Sequence, residues 1–186
     1  MTRKIIIVLF FFIELAIYSL PLGAQEKIAW MNWEEAVEKS KKQRRKILID
    51  VYTDWCGWCR KMDKVTFSQA PLAAYINDHY YAIKFNAEHT HPIELKGVQY
   101  NFVQSGMKGY HELAAHLLQG RMSYPSVVFL DEDFNLIQAI PGFQNAETFE
   151  MIIAYFGTNS HKQTAWNKFQ QAYRRENYFK GPLKNE

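Results

Sequence analysis

Cysteine is scarce: the 186 residues hold only Cys56 and Cys59. A zinc site usually takes four protein ligands, and a second cysteine pair to complete one is missing. No cysteine lies near residue 24, which excludes a lipoprotein signal. Charge is also low, at a formal net +3. Removing Arg3, Lys4 and Glu14 with an N-terminal signal takes away one positive charge and leaves about +2. That balance is too mild to argue for nucleic acid, and no RNA- or DNA-binding motif occurs. Internal repeats and low-complexity stretches are lacking too. With 48% hydrophobic and 16% aromatic residues, the chain can bury a real core and is not disordered. Its length suits one domain, or one domain with an export signal.

What is present is Trp55-Cys56-Gly57-Trp58-Cys59, at the junction of an apolar run (Ile47 to Thr53) and a helical segment. Thiols at i and i+3 on the first turn of a helix can close a small disulfide ring. The unpaired N–H groups and partial positive charge of a helix N-terminus favour thiolate over thiol, so Cys56 is expected to be acidic and nucleophilic. Cys59 lies within reach to attack a mixed disulfide and release the partner. Two other readings stand beside this one. A structural disulfide over so short a loop would remove little unfolded-state entropy. A metal site could recruit His89 and His91, but His89-Thr90-His91 sits in a polar stretch ending at Pro92 that reads as a loop.

The chain begins with a basic Thr2-Arg3-Lys4, an apolar run from Ile5 to Leu20 and Pro21-Leu22-Gly23-Ala24, the pattern of a signal peptide cut before Gln25. Glu14 and Leu22 fit that pattern poorly and keep an uncleaved membrane anchor as the alternative. Export would place the cysteines in an oxidising compartment, where another protein must maintain a dithiol.

Asn32 to Arg45 reads as a helix, with Asn32 and Glu35 as a capping box and Trp33, Ala36 and Val37 as its apolar stripe. The basic run Lys41 to Lys46 reads as a solvated helix end, with a docking patch for an acidic partner as the alternative. Ile47 to Thr53 has the continuous apolar character of a central strand. Asp50 interrupts it. A carboxylate there is costly unless it has a partner or a task, and burial would raise its pKa toward neutrality. Asp54 reads as a surface group.

Further helices are expected over Cys59 to Phe67, with Met62 and Val65 facing the sheet, and over Ala70 to about Asp78, with a proline in the first turn. Tyr80 to Ala87 reads as a strand. Within 89–109, Ile93 to Val103 alternates as a small hairpin turning near Lys96-Gly97. It serves either as a partner surface or as cover for the core. Tyr110 to Leu118 reads as a helix ended by Gly120, with His111 and His116 on the surface. Ser126 to Asp131 and Leu136 to Ile140 form a hairpin, and Asn145 to Phe156 a helix. Ser160 to Arg175 reads as an added helix that docks through Trp166, Phe169 and Tyr173.

Three stretches carry a resemblance. Lys46 through Lys61 resembles the active-site strand and helix of the thioredoxin superfamily. Ala82-Ile-Lys84-Phe-Asn86-Ala87 fits its next strand, and Ser123-Tyr124-Pro125-Ser126 through Leu130 its second signature, a cis-proline before a strand. Met62 and Thr66-Phe67 further resemble the thioredoxin-like proteins exported by Gram-negative bacteria. The departure is Trp58, where ordinary thioredoxin has proline.

The resemblance implies an α/β thioredoxin fold: a central mixed β-sheet flanked by helices, here with a small hairpin insertion and an extra C-terminal helix. It divides the chain into a signal peptide (1–24), a thioredoxin-like domain (25–159) and a helical extension (160–186). It implies exchange by Cys56 and Cys59, with Asp50 as proton relay and Lys84 beside it. Trp55, Gly57, Trp58, Tyr124 and Pro125 would form the rim where substrate docks, the Tyr124 backbone pairing with an extended segment. No dissociable cofactor or metal is expected beyond the redox-active disulfide. The expected partners are protein thiols or disulfides and a membrane-bound electron donor, in the periplasm. Reduction is the favoured direction; oxidation or isomerisation, or a non-catalytic binding or chaperone role, are the alternatives.

Overall fold

A computed structural model describes residues 26–180, with side chains through Arg174. The expected signal segment 1–24 and the last six residues lie outside the described residues. Among the described residues no helix is long and apolar enough to cross a membrane.

Helix α1 (Trp33–Lys42) starts at a complete capping box: Glu35 N–H donates to Asn32 Oδ1 at 2.8 Å, and Asn32 N–H to Glu35 Oε2 at 2.9 Å. Strand β1 (Lys46–Tyr52) leads into α2 (Gly57–Val65), α3 (Ala70–His79) and β2 (Tyr80–Asn86). Two small hairpins follow, β3 (Ile93–Leu95) with β4 (Val98–Tyr100), and β5 (Phe102–Ser105) with β6 (Lys108–His111). The chain continues through α4 (Glu112–Leu117), β7 (Ser126–Leu130), β8 (Leu136–Pro141) and α5 (Ala146–Gly157). It ends with a short 3-10 turn (Ser160–Lys162) and α6 (Trp166–Lys180).

The central sheet has the order β2-β1-β7-β8. Only the β1–β2 pair is parallel, so the sheet is mixed. Strand alternation splits its side chains between two cores. Ile47, Ile49 and Val51 pack with Ile83, Phe85 and Val128 against α1 and α4. Leu48, Ala82, Val127 and Phe129 pack on the other face with Met62 of α2, Ile76 of α3 and Phe149 of α5. Asp50 and Lys84 share the parity of Leu48 and Ala82. They therefore face the layer that holds the cysteine-bearing helix α2.

Four local expectations are corrected. The basic run is a solvated helix end as far as Lys42, with Arg44 also exposed, but its last residues are not solvated. The helix stops at Lys42, and Lys46 is buried in β1 with Nζ 2.9 Å from Glu132 Oε1. Arg44 pairs with Asp133, and Arg45 Nη1 donates to Asn77 O at 2.7 Å. Val65, the last residue of α2, is exposed, while Met62 is fully buried. The insertion holds two hairpins, and 110–111 belong to the second rather than to a helix. His111 is buried, not on the surface. Its Nδ1 accepts from Leu113 N–H at 3.1 Å as the cap of α4, and its Nε2 lies 3.0 Å from His91 O. With Nδ1 accepting, the ring proton must sit on Nε2. Burial lowers the His111 pKa, with the bond to His91 O opposing.

Candidate active site

Cys56 is the N-cap residue of α2, and Cys59 lies in its first turn. The two form a disulfide with a Cα–Cα separation of 5.3 Å. Cys59 N–H donates to Cys56 Sγ at 3.1 Å. A thiolate on Cys56 would inherit that donor and the helix N-terminus, both of which favour the charged form. Both cysteines are buried, whereas Trp55 and Trp58 beside them are 54% and 57% exposed. The disulfide thus lies between two proud indoles.

Each indole is held from another part of the fold. Trp55 meets Tyr124 edge-to-face at 5.9 Å between centroids and donates Nε1–H to Glu88 Oε1 at 2.9 Å. Trp58 lies 5.5 Å from the Phe143 ring. The Tyr124–Pro125 peptide bond is cis. Pro125 is buried at the start of β7, and its carbonyl accepts from Gly142 N–H at 2.8 Å. Gly57 is exposed, with open space around it except for Arg60 Nη2.

Behind this mouth, Asp50 is 1% exposed. Lys84 Nζ lies 2.6 Å from Asp50 Oδ2 and also pairs with Asp63 of α2. Asp50 Oδ1 is buried without a hydrogen-bond partner among the described residues. Burial lifts the Asp50 pKa from 3.8 to about 6, Lys84 opposing and Asp63 adding to the rise. Burial lowers the Lys84 pKa, but Asp50 and Asp63 outweigh it and hold the ammonium above its ordinary value. The rings of Trp30, Tyr52 and Phe67 stand 5.1 to 5.3 Å from Nζ. A cleft of about 400 Å³, lined among others by Trp30, Asp63, Phe67 and Lys84, opens this charged cluster to solvent.

Cys56, Cys59, Trp55, Trp58 and Tyr124 therefore gather at one mouth, with Asp50 and Lys84 paired under the helix that carries the cysteines. Asp54 is exposed and accepts from Asn86 Nδ2 at 3.1 Å. The rings of His89 and His91 lie tilted at 5.4 Å between centroids, and those of His89 and His111 at 5.8 Å. Among the described residues no cluster of His, Cys, Asp or Glu is placed to hold a metal ion. Sequence reasoning missed Asp63, Glu88, Lys108 and Phe143. Asp63 had a usable signal, since it stands four residues after Cys59, one turn along the same helix face. The others reach the mouth only through tertiary contacts.

The chain matches the thioredoxin-like domain family across residues 33–157. It is 30% identical over 88 residues to an uncharacterised protein of Caenorhabditis elegans, a match that covers 47% of this chain and 12% of that one. The chain thus spans about an eighth of the length of that curated relative. Among solved structures it is similar to a putative disulphide-isomerase from Bacteroides thetaiotaomicron, at 23% identity and a TM-score of 0.51, covering 74% of this chain and 98% of that one. It is also similar to an oxidoreductase named DsbH, at 19% identity and a TM-score of 0.51, over 75% and 89% of the two chains. With this match over most of its length, the chain belongs to the thioredoxin-like domain family.

Proposed function

We propose that this protein works in the periplasm as a reductase of protein disulfides. The observation that carries the direction is Asp50, a buried carboxyl titrating near pH 6 under the cysteine-bearing helix. Reduction proceeds in two displacements. The Cys56 thiolate attacks one sulfur of the substrate disulfide, forming a mixed disulfide and expelling the first substrate thiolate. Cys59 then loses its proton and attacks Cys56 Sγ. That step closes the Cys56–Cys59 disulfide and releases the second substrate thiolate, so two electrons pass to the substrate. A base matched to neutral pH is needed at this second step, where a buried thiol must ionise. Asp50 supplies it, with Lys84 holding its charge in place. Trp55, Trp58 and Tyr124 offer the apolar rim on which the substrate segment lies.

Export rests on the N-terminal segment, and an oxidising compartment then requires a membrane-bound donor to return the disulfide to the dithiol. Oxidation is the second reading. It is favoured by Trp58 between the cysteines, where ordinary thioredoxin has proline, and by the positive charge of Arg60 next to Gly57.

The deciding experiment is the reduction potential of Cys56–Cys59 against a dithiothreitol or glutathione buffer. A value of roughly −270 mV supports the reductase, and one of roughly −120 mV reverses the direction. Cys56→Ser is expected to abolish exchange and Cys59→Ser to trap mixed disulfides. Full turnover by Cys56→Ser would overturn the mechanism.

A further inference from the structure

The hairpin of β5 and β6 is built to reach the active-site mouth. Its base is stapled on both sides. His111 N–H donates to Ala87 O at 2.7 Å, and the His111 ring bonds to His91 O. Asn101 N–H donates to Glu112 Oε2 at 2.7 Å, while Glu112 N–H returns to Asn101 O at 2.9 Å. Within the hairpin a side chain at Gly109 would meet the Phe102 ring at 2.1 Å, so this glycine lets the ring lie flat across the ladder. The tip turns at Gly106, whose φ of +60° suits glycine. There Met107 is fully exposed, and Lys108 Nζ sits 4.6 Å from the centre of the Trp55 ring.

A matching arrangement stands on the other side of the disulfide. Lys61 Nζ lies 4.6 Å from the Trp58 ring and 5.3 Å from that of Phe143. The neighbouring Arg60 guanidinium donates to Asp54 O at 2.8 Å and lies beside Gly57. Among the described residues none of Arg60, Lys61 and Lys108 pairs with a carboxylate. The mouth holds two acids, Asp54 and Glu88, which accept from Asn86 and from the Trp55 indole. The balance is three cations against two acids, and all three cations are exposed.

We propose that these cations read the substrate: the partner is a polypeptide segment whose reacting cysteine is flanked by carboxylates, and the β5–β6 hairpin is the arm that selects it through Lys108 and Met107. The inference rests on the thiol–disulfide exchange proposed above. Aromatic faces supply contact area for the segment, and carboxylates on either side of its sulfur meet Lys108 at one end and Lys61 with Arg60 at the other. Opposite charge raises the rate of productive encounter more than the strength of the final contact, and salt removes the gain.

The test uses the reduced protein and two peptides identical except for flanking glutamates or flanking lysines. Each carries one cysteine as a neutral mixed disulfide with 2-mercaptoethanol. Each rate is divided by the rate of dithiothreitol on the same peptide, which removes differences in leaving-group chemistry. The acidic peptide is expected to react about three- to tenfold faster, with the ratio falling toward one in about 1 M NaCl. Lys108→Glu and Lys61→Glu are each expected to lower or invert the ratio. Lys42→Glu, the same charge change at the C-terminal end of α1, is expected to leave it in place. Equal normalised rates, or a ratio that Lys108→Glu does not move, would overturn the proposal. The latter is also what would follow if the cations served only to acidify Cys56. Reduction of both peptides by dithiothreitol but of neither by the protein would overturn the exchange reading itself.

Discussion

Asp50 and Lys84 are register partners on the parallel strands β1 and β2, and their side chains meet at 2.6 Å beneath the helix that carries the disulfide. Strand pairing alone brings them together. Adjacent parallel strands set paired side chains on the same face, and the parity of Asp50 turns both toward α2. The pair does not neutralise the cost of burial, because the Asp50 pKa still stands at about 6 rather than 3.8.

That imbalance predicts a pH-dependent stability. Between 3.8 and about 6 the folded chain holds a proton at Asp50 that the unfolded chain has released. Its contribution therefore falls as pH rises through that window. Asp50→Asn removes the penalty and is expected to stabilise the oxidised protein at pH 7 by about 3 kcal/mol, with little gain at pH 3.5. Urea unfolding of both proteins at the two pH values checks it. An equal gain at both would assign the effect to packing. The same variant should slow the resolving step and remove an inflection near pH 6 from its rate profile.

Lys84 and Asp63 should move the Asp50 titration in opposite directions. Lys84 lowers the Asp50 pKa and Asp63 raises it. Lys84→Met is expected to push the titration above 6, and Asp63→Asn to bring it below. Carboxyl carbon chemical shifts followed by NMR report the midpoint directly. Movement in the same direction by both variants would mean that the cluster responds to packing rather than to charge.

His111 predicts a loosening of the hairpin arm in acid. Its pKa is lowered from 6.5 by burial, so the unfolded chain takes up the proton first and the stabilisation is lost as pH falls through 6.5. Amide exchange in β5 and β6, corrected for intrinsic rates, is expected to rise between pH 7.5 and 5.5 more than in β1 or β7. In His111→Asn, which keeps a capping oxygen, the excess should vanish.

The terminal helix α6 should contribute stability and no redox chemistry. Trp166 and Phe169 pack edge-on and tilted against Tyr155 at 5.2 and 4.9 Å, and Tyr173 donates to Glu150 Oε1 at 2.7 Å. Trp166→Ala removes a half-buried ring and is expected to cost about 2 kcal/mol. Urea unfolding measures the loss. A shift in the Cys56–Cys59 potential in this variant would show a coupling that the packing does not supply.

Much of this was legible in the residues. The capping box at Asn32 and Glu35, the apolar strand around Asp50 and the helix beginning near Asn145 are local signals, and local signals survive in any fold that uses them. Errors cluster where a residue's fate depends on distant chain. His111 reads as a surface helix residue because nothing nearby in sequence announces that Ala87 and His91 will close around it. The end of the basic run reads as solvated because the partners of Arg45 and Lys46, the Asn77 carbonyl and Glu132, come from α3 and from the β7–β8 turn.

The sequence by itself determined that the chain can close a small disulfide ring at a helix start: two cysteines stand three apart after a buried strand, and that spacing is a covalent property. It also determined that Asp50 would be costly where it stands. Only the tertiary structure decided how that cost is met and what surrounds the sulfur. Lys84, Asp63, Glu88, Lys108 and Phe143 are brought to the site by strand register, hairpin reach and helix packing. Such contacts join residues tens of positions apart and leave no periodic mark in the chain. The protonation of Asp50 depends on that assembled environment, since burial and charge act through space.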